Sequence, residues 1–577
     1  TGPQNDESDQ INGKHGILIF QGKSRSCSRP DELQALTNEG LSSAGLCMSK
    51  DKRERCHLIE TCFYQRQKAE VENAKLVILV HEYLTVPSLP AELNDPRAVI
   101  VDETVFRQLV RVARVSLDSL ASTPSMPRAI SEDDRIEWQR RAKNRAILAT
   151  DAIEALEKGH DPAQAIRLAH KKRLADVIAG AERHGLCPKA EADACRLHDW
   201  LADAKRIAGG DDYSSAGISP GMTLKQIKDH IARYKSGTSK GEAAFWKQVK
   251  ERVILLDEAE AYDGDAENAP KVPLPLKIQL RQEGPASDPR RVVRTAWMAN
   301  RNWQDIPFIF LDAHADPAFI EPSWPGCQVH EVHVRTQGTI VQIADHTYGK
   351  SSLLPTPNAS LEDKVRCAAE LDRIRQLIAT TASRHRQFLV IAMKEVIEAL
   401  VLGWTPPVNA AFRHYGALRG LDQYKDFDGC LLLGRMQPPT STLDEYSAAY
   451  YDGSQEPPLP LDAGDGKGAQ LPLAPAHYRL KTGEVYQKEV PQGPTALHRA
   501  VLAQFREAEL EQEIARPRLA HRPSPATIYV LTSIPLDMEI DQLVSIKDLT
   551  GEETRLARAM REAGGVLVAS PRALTGF

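Results

Sequence analysis

No run of about 18 apolar residues occurs anywhere in the 577-residue chain, so no helix is expected to cross a membrane. The opening TGPQNDESDQINGKHG is polar, has no apolar stretch of a secretion signal and does not begin with Met. The chain is therefore expected in the cytoplasm, and as part of a longer polypeptide. A large excess of charge of one sign is missing too. The net charge of −5 is small, so bulk charge does not mark a nucleic-acid binder, and any such surface has to be a local basic groove. No Cys-x-x-Cys pair occurs, which disfavours the tight knuckles that zinc prefers. No internal repeat is visible. Nor is there a sound Gly-rich phosphate loop of the form G-x-x-x-x-G-K-[ST]. Gly22-Lys23-Ser24 has the right letters, but Gly16 stands one residue too far upstream, ILIFQ between them reads as a strand, and RSCSRP after it is a poor helix start. GDGKGAQ at 464–470 has the wrong spacing and lies in a loop-like stretch.

What is present is ordinary for a folded chain: 42% hydrophobic and 26% charged residues. The length exceeds one core, and two to four domains are expected. Short apolar runs at 17–20 (ILIF), 75–80 (KLVILV) and 98–101 (AVIV) suit a parallel sheet covered on both faces. Residues 105–265 are rich in Ala, Arg, Glu, Lys and Leu at helical spacing and read as a helical insertion, closed by the polar DGDAENAPKVPLP. Strand-like runs return at 307–317, 327–334, 387–393, 429–435 and 526–532, with a helical pattern at 361–380 between them. That alternation predicts a second parallel α/β domain. Residues 453–494 are rich in Pro and Gly and read as a long loop or a small irregular insertion.

Two groups of residues carry chemistry. The first is Asp102-Glu103, closing the strand VIVDE. A carboxylate at the C-terminal end of a parallel strand sits where α/β sheets bind ligands. In nucleotide hydrolases an Asp there holds Mg²⁺ on the phosphates, and an adjacent Glu can activate water. Acids also close strands because turns and helix N-termini favour them, so this pair alone does not decide. The second group is Cys27, Cys47, Cys56 and Cys62, separated by nineteen, eight and five residues. Iron–sulfur clusters take four thiolates from such irregular spacings. Zinc and unrelated free thiols remain the alternatives, and His57 is a substitute for Cys27, the weakest of the four. A disulfide framework is not expected in a large cytosolic-looking chain.

The order of these segments resembles the iron–sulfur superfamily 2 helicases of the XPD/DinG type. There the last cluster cysteine is followed by an aromatic residue and a basic helix, as in CFYQRQ. A strand ending near a His then leads to the acidic box, as in AKLVILVHEYL and VIVDET. FIFLDAHADP is similar to the family's third motif, with His314 where Thr is usual. HYGALRGLDQYKDFDGCLLLGR is similar to the fifth, and ELEQEIARPRLAHR to the sixth, with Ala515 in place of a glycine. The resemblance covers roughly 15–120 and 300–545.

It implies two RecA-like parallel-sheet motor lobes with a cysteine-rich insertion and an arch-like helical insertion. Lobe 1 would take 1–104, the helical insertion 105–265, the return and hinge 266–330, and lobe 2 331–577. ATP with Mg²⁺ and a [4Fe–4S] cluster would be the cofactors, and single-stranded or duplex DNA the partner. Asp102 would hold Mg²⁺, Glu103 would position water, and Gln512, Arg516 and Arg518 would reach the γ-phosphate, whose developing charge a guanidinium stabilises. Asp312, His314, Gly416, Arg419 and Gly420 would couple nucleotide to DNA. Lys23, Arg25, His81, Arg140 and Arg141 would meet DNA. Arg140, Arg141, Lys143 and Arg145, like Lys171, Lys172 and Arg173, either line a backbone-tracking groove or form solvated helix faces. The phosphate loop would lie upstream of Thr1. A non-catalytic DNA-binding relative, and the helicase part of a plasmid or phage primase-helicase, are the alternatives.

Overall fold

The computed structural model describes residues 16–551 and Met560, apart from positions 40, 50, 128–129, 185, 188, 190–191, 193–194, 210–216, 235–238, 266–270, 285–286, 333, 335, 419–420 and 462–468. The chain is mixed α/β with parallel sheets and forms two compact units. Unit 1 is Thr1–Cys327 with Asp444–Ala469, and unit 2 is Gln328–Leu443 with Gln470–Phe577. The chain thus revisits unit 1 at Asp444–Ala469, a crossing that one uninterrupted lobe over 331–577 does not contain. No helix among the described residues is long and apolar enough to cross a membrane.

In unit 1, β1 (Ile17–Ile19) pairs in parallel with β2 (Leu76–Ile78). Their inner side chains join Leu18, Phe20, Tyr83 and Leu93 in one small core. Next comes β3 (Val99–Asp102). The segment expected to be wholly helical opens with one helical turn, Phe106–Leu109, and then a strand, β4 (Val110–Ser116), which pairs antiparallel with β6 (Arg290–Met298), itself paired with β5 (Ile278–Glu283). The Arg residues scattered through VRVARVS mimic a helix face, and the partner strand lies far along the chain. Local periodicity could therefore not show the pairing. Finally β7 (Phe308–Leu311) pairs in parallel with β3, register Val99↔Phe308 to Asp102↔Leu311. The β3–β7 pair packs its inner face on Val105, Leu109, Ile320 and Trp324.

The expectation of cover on both faces is not met here. Leu76, Ile78 and Val80, Ile100, and Ile309 and Leu311 are all 44% to 60% exposed. They are alternate residues of β2, β3 and β7, with Val80 just beyond β2, and among the described residues this face of each pair is left exposed.

After β4 the segment to residue 265 is mostly helical. Its long helices are Glu132–Glu157, Pro162–Arg183, Leu197–Gly209 and Lys240–Ala261, with Leu224–Tyr234 set apart from them. Ser131, Asp161 and Ser239 cap three of them through their side chains, and Pro162 occupies the first turn of the second. Leu148, Ala152, Ile166, Leu201, Phe245, Trp246 and Val249 form their shared core.

In unit 2, β8 (Gly338–Ile343), β9 (Phe388–Ala392), β10 (Ala410–His414) and β11 (Gly429–Leu433) are followed by an antiparallel hairpin, β12 (Leu473–Leu480) and β13 (Val485–Pro491). Then come β14 (Ala526–Leu531), β15 (Glu539–Ile540) and β16 (Gln542–Val544). Six of these form an all-parallel sheet ordered β10-β9-β11-β14-β8-β16. Here the rule of burial on both faces holds. Leu389, Ile391 and Leu432 point into one core, and Phe388, Val390 and Leu431 into the other. Central strands buried on both sides read as continuous apolar runs, which is why 387–393, 429–435 and 526–532 were legible.

Three expectations need correction. The described residues of 327–334 form no strand, and Val329 and Val332 are exposed. β8 and β10 were not foreseen. The Pro/Gly-rich 453–494 is not simply a loop, because it holds the β12–β13 hairpin, turned at Gly483 with φ 92°. Only Tyr478, Leu480 and Val490 of that hairpin are buried, so its apolar signal is thin.

Candidate functional site

The parallel register of β3 and β7 places Asp102 beside Leu311, so the chain leaves both strands at the same end. There Glu103 donates its N–H to the Leu311 carbonyl at 3.0 Å. Asp312 follows directly and accepts the His314 N–H on Oδ1 at 2.9 Å. Asp102, Glu103, Asp312 and His314 thus share one end of one strand pair, although 210 residues separate Asp102 from Asp312 in sequence. Glu103 sits at φ 67°, in the left-handed region. A non-glycine residue held there costs on the order of 1–3 kcal/mol and persists only where its surroundings impose it. Such strain clusters at functional positions.

Among the described residues, no three or more His, Cys, Asp or Glu side chains close on a single-ion site. A Mg²⁺ ion carried on a nucleotide does not need such a group. It keeps most of its water and takes one or two carboxylates together with substrate phosphates.

The four clustered cysteines come together. Cys27, Cys47, Cys56 and Cys62 all line one small pocket, together with Leu46, Leu58 and Ile59. His57 is not among its lining residues. Local structure explains the gathering. Cys27 ends the one-turn helix Lys23–Ser26, which forms despite the poor helix-start signal of its sequence. Cys47 and Cys56 face each other across a short hairpin, with Cys56 N donating to Cys47 O at 2.9 Å and an antiparallel bridge between Met48 and Arg55. Cys62 caps the helix Phe63–Val71.

All nine cysteines are free thiols. At Cys62 burial works against ionisation, but hydrogen bonds from Ser28, Gln65 and Tyr64 outweigh it and hold the thiol below its usual range. Burial pushes the Cys27 thiol up, against the N–H of Arg29, which points at its Sγ from 3.4 Å. N–H groups aimed at sulfur are what an iron–sulfur centre uses to set its potential.

In unit 2 the fifth- and sixth-motif positions meet. Arg516 Nε lies 3.2 Å from Glu513 Oε2, and Glu513 Oε1 accepts the Gly416 N–H at 3.4 Å. Gly416 has φ 77°, which favours glycine. Burial raises the Glu513 carboxyl, and Arg516 opposes the rise. Gln512 is half-buried on the same helix, Glu507–Ile514. Arg518, with φ 52°, pairs with Asp422. Arg419 and Gly420 lie outside the described residues.

A pH effect follows from the same helix. Burial pushes the Glu511 carboxyl up to about 7, against an ordinary value of roughly 4.3. The folded chain then keeps a proton that the unfolded chain releases. Unfolding free energy should fall as pH rises through that window and level off above it. Denaturant titrations of wild type and Glu511→Gln across this range should show a shallower fall in the variant, with a residue left by Glu513. Equal slopes would remove Glu511 as the source.

The DNA-facing candidates are placed less favourably. Lys23 Nζ donates to Ser43 O at 2.8 Å and Ser43 Oγ at 3.1 Å, while Arg25 is exposed. His81 opens a half-buried turn after β2. Arg140 bonds Glu137 at 2.8 Å and Asp203 at 3.0 Å, and Arg141 reaches the same two acids. The Arg140 hydrogen bond holds the Glu137 carboxyl down at about 2. Arg145 is buried against Glu242, Lys171 pairs with Glu260 and Arg173 with Asp151. Lys143 and Lys172 face solvent.

One signal went unread in the sequence. Ala344-Asp-His-Thr-Tyr-Gly349-Lys350-Ser351 follows a strand and matches a phosphate loop with Ala in the first position. The helix it opens, Lys350–Leu353, is one turn long, and Lys350 is paired with Glu395 at 2.8 Å. A phosphate cradle needs a sustained helix behind it, so the letters alone do not make one.

No protein-family model matches the chain, and no curated protein is significantly similar to it. The functional reading rests on the residues themselves.

Proposed function

We propose that this chain is the greater part of an iron–sulfur DNA helicase of the XPD/DinG type, an ATP-driven motor on single-stranded DNA. The observation that carries the reading is the gathering of Cys27, Cys47, Cys56 and Cys62 around one cavity. Four thiols drawn from 36 residues without a Cys-x-x-Cys pair suit a cluster better than the tight knuckles of a zinc site. The strand-end acids support it as well, with the left-handed Glu103 between them. So does the all-parallel sheet of unit 2 with strand order running out, back and across its first strand.

In this reading the chain's own groups divide the work. Asp102 would hold Mg²⁺ and Glu103 would orient water, with Asp312 and His314 just past the end of β7. Arg516 would be held by Glu513 until negative charge develops on the nucleotide. The cluster, held by the four thiolates, would brace the module that parts the strands.

A second reading, a DNA-binding relative without ATPase activity, is favoured by His314 in place of the usual Thr. The deciding experiment is metal and sulfide analysis of anaerobically purified protein. About four irons and four acid-labile sulfides per chain are expected, with a broad visible absorption band, all lost in Cys62→Ser. One zinc per chain would replace the cluster by a structural ion. No metal would leave the cavity unexplained and sink the reading.

A further inference from the structure

The helix Leu224–Tyr234 lies within the helical insertion by sequence, yet it contributes nothing to that insertion's core. Its buried residues go elsewhere. Ile218, Ile227 and Ile231 pack on Leu33, Leu36 and Leu46, which belong to the cysteine module.

Two contacts tie this segment to the thiols directly. Arg29 is 6% exposed and stands two residues after Cys27. Its backbone N–H points at Cys27 Sγ, while its guanidinium donates to Pro220 O at 2.6 Å and to Met222 O. Glu32 neutralises it from 3.2 Å. Gly45 stands two residues before Cys47, and a Cβ there would lie 2.5 Å from the Ile218 carbonyl. Only glycine allows the approach.

We infer that residues 217–234 form one folding unit with the cysteine module, and that filling the four-cysteine cavity is what locks them onto it. The second half of this inference rests on the cluster reading. The physical reason is that each anchor is tied to a cysteine by a short link. Arg29, the N-cap of the helix Pro30–Asn38, stands two residues after Cys27 and its one-turn helix Lys23–Ser26, and Gly45 sits in the three-residue turn Ala44–Leu46 that leads into Cys47. Short turns of this kind are held by what surrounds them. Ligation of Cys27 and Cys47 would fix both at once. Loss of the ligand would free the anchors and release the segment. The insertion would thereby sense whether the cavity is filled.

Hydrogen–deuterium exchange tests this without any activity assay. Peptides covering 217–234 should exchange about tenfold faster after the cluster is removed by oxidation and chelation. Peptides from the insertion core, 145–156 and 201–208, should not change. Arg29→Ala should free 217–234 in the same way while iron content stays at the wild-type level. Gly45→Ala should do likewise.

Equal exchange of 217–234 with and without iron would overturn the coupling. So would a change spread evenly over the insertion core. Iron content is read separately. If the purified protein holds no iron, the cluster reading fails on that measurement, and the inference loses its lock. Arg29→Ala then still decides whether the segment belongs to the module, and an unchanged exchange pattern would overturn that part too.

Discussion

Full-length protein carrying Glu103→Gln should hydrolyse ATP on single-stranded DNA at least about a hundredfold more slowly than wild type, while binding nucleotide with unchanged affinity. A positioned general base or water-orienting group contributes roughly 10²–10⁴ in rate, and an amide of the same shape keeps the fold but not the basicity. The backbone supplies an independent check. Glu103 is held at φ 67°, so glycine at this position should relieve strain. Glu103→Gly is therefore expected to raise stability by about 1 kcal/mol and still to lose the activity. A residue that was merely structural would not separate the two in that way. Arg516→Ala should lose as much or more, since an arginine on the transferring phosphate is worth about 10³–10⁵. It also leaves Glu513 buried beneath Gly416 with its cation gone. Arg516→Lys distinguishes the two effects: it keeps the charge over Glu513 but not the guanidinium fork. Should Glu103→Gln hydrolyse at the wild-type rate, the acidic edge is not the catalytic one. Should wild type itself show no hydrolysis while binding DNA, the second reading stands.

How much of this was legible depends on where each partner sits. Runs such as FLVIA and GCLLL are buried on both faces, and burial alone marks them in sequence. β4 and the β12–β13 hairpin are half-polar and find partners through pairing that no local window contains. The cysteines were visible as a cluster because the ligand chemistry concentrates them within 36 residues. Arg29 was invisible for the opposite reason: its carbonyl partners at Pro220 and Met222 lie some 190 positions away, and carbonyls leave no mark on side-chain composition. Basic residues do not reveal their partners in sequence. Arg140, Arg141, Arg145 and Arg173 look alike in sequence, yet each is answered by an acid contributed from elsewhere.

Arg145 shows what that difference means in energy. Its side chain is 1% exposed and that of Glu242 is 2% exposed, with Nε to Oε1 at 2.6 Å. The guanidinium also donates to the carbonyls of Ser122 at 2.8 Å and Leu120 at 3.0 Å, closing the helix Leu117–Ala121. Trp246 Nε1 donates to the same Glu242 oxygen at 2.8 Å. Removing one partner strands a buried charge, which costs about 3–5 kcal/mol, whereas replacing both by apolar groups of similar size is often close to neutral. Arg145→Met should therefore lower the melting temperature of the insertion by roughly 10 °C, and Arg145→Met with Glu242→Leu should recover much of it. Circular dichroism melts of the two variants check this, and an unchanged single variant would show that the pair is not closed in solution. The same variants bear on DNA. Loss of DNA binding in Arg145→Met would report a melted insertion, because a guanidinium enclosed by Glu242 cannot reach a phosphate. Lys143→Ala and Lys172→Ala remove exposed charge and leave the fold intact. If these helices track DNA, each should weaken binding evenly across sequences and reduce the salt slope by about 1. A slope that does not move would make both lysines part of a solvated helix face.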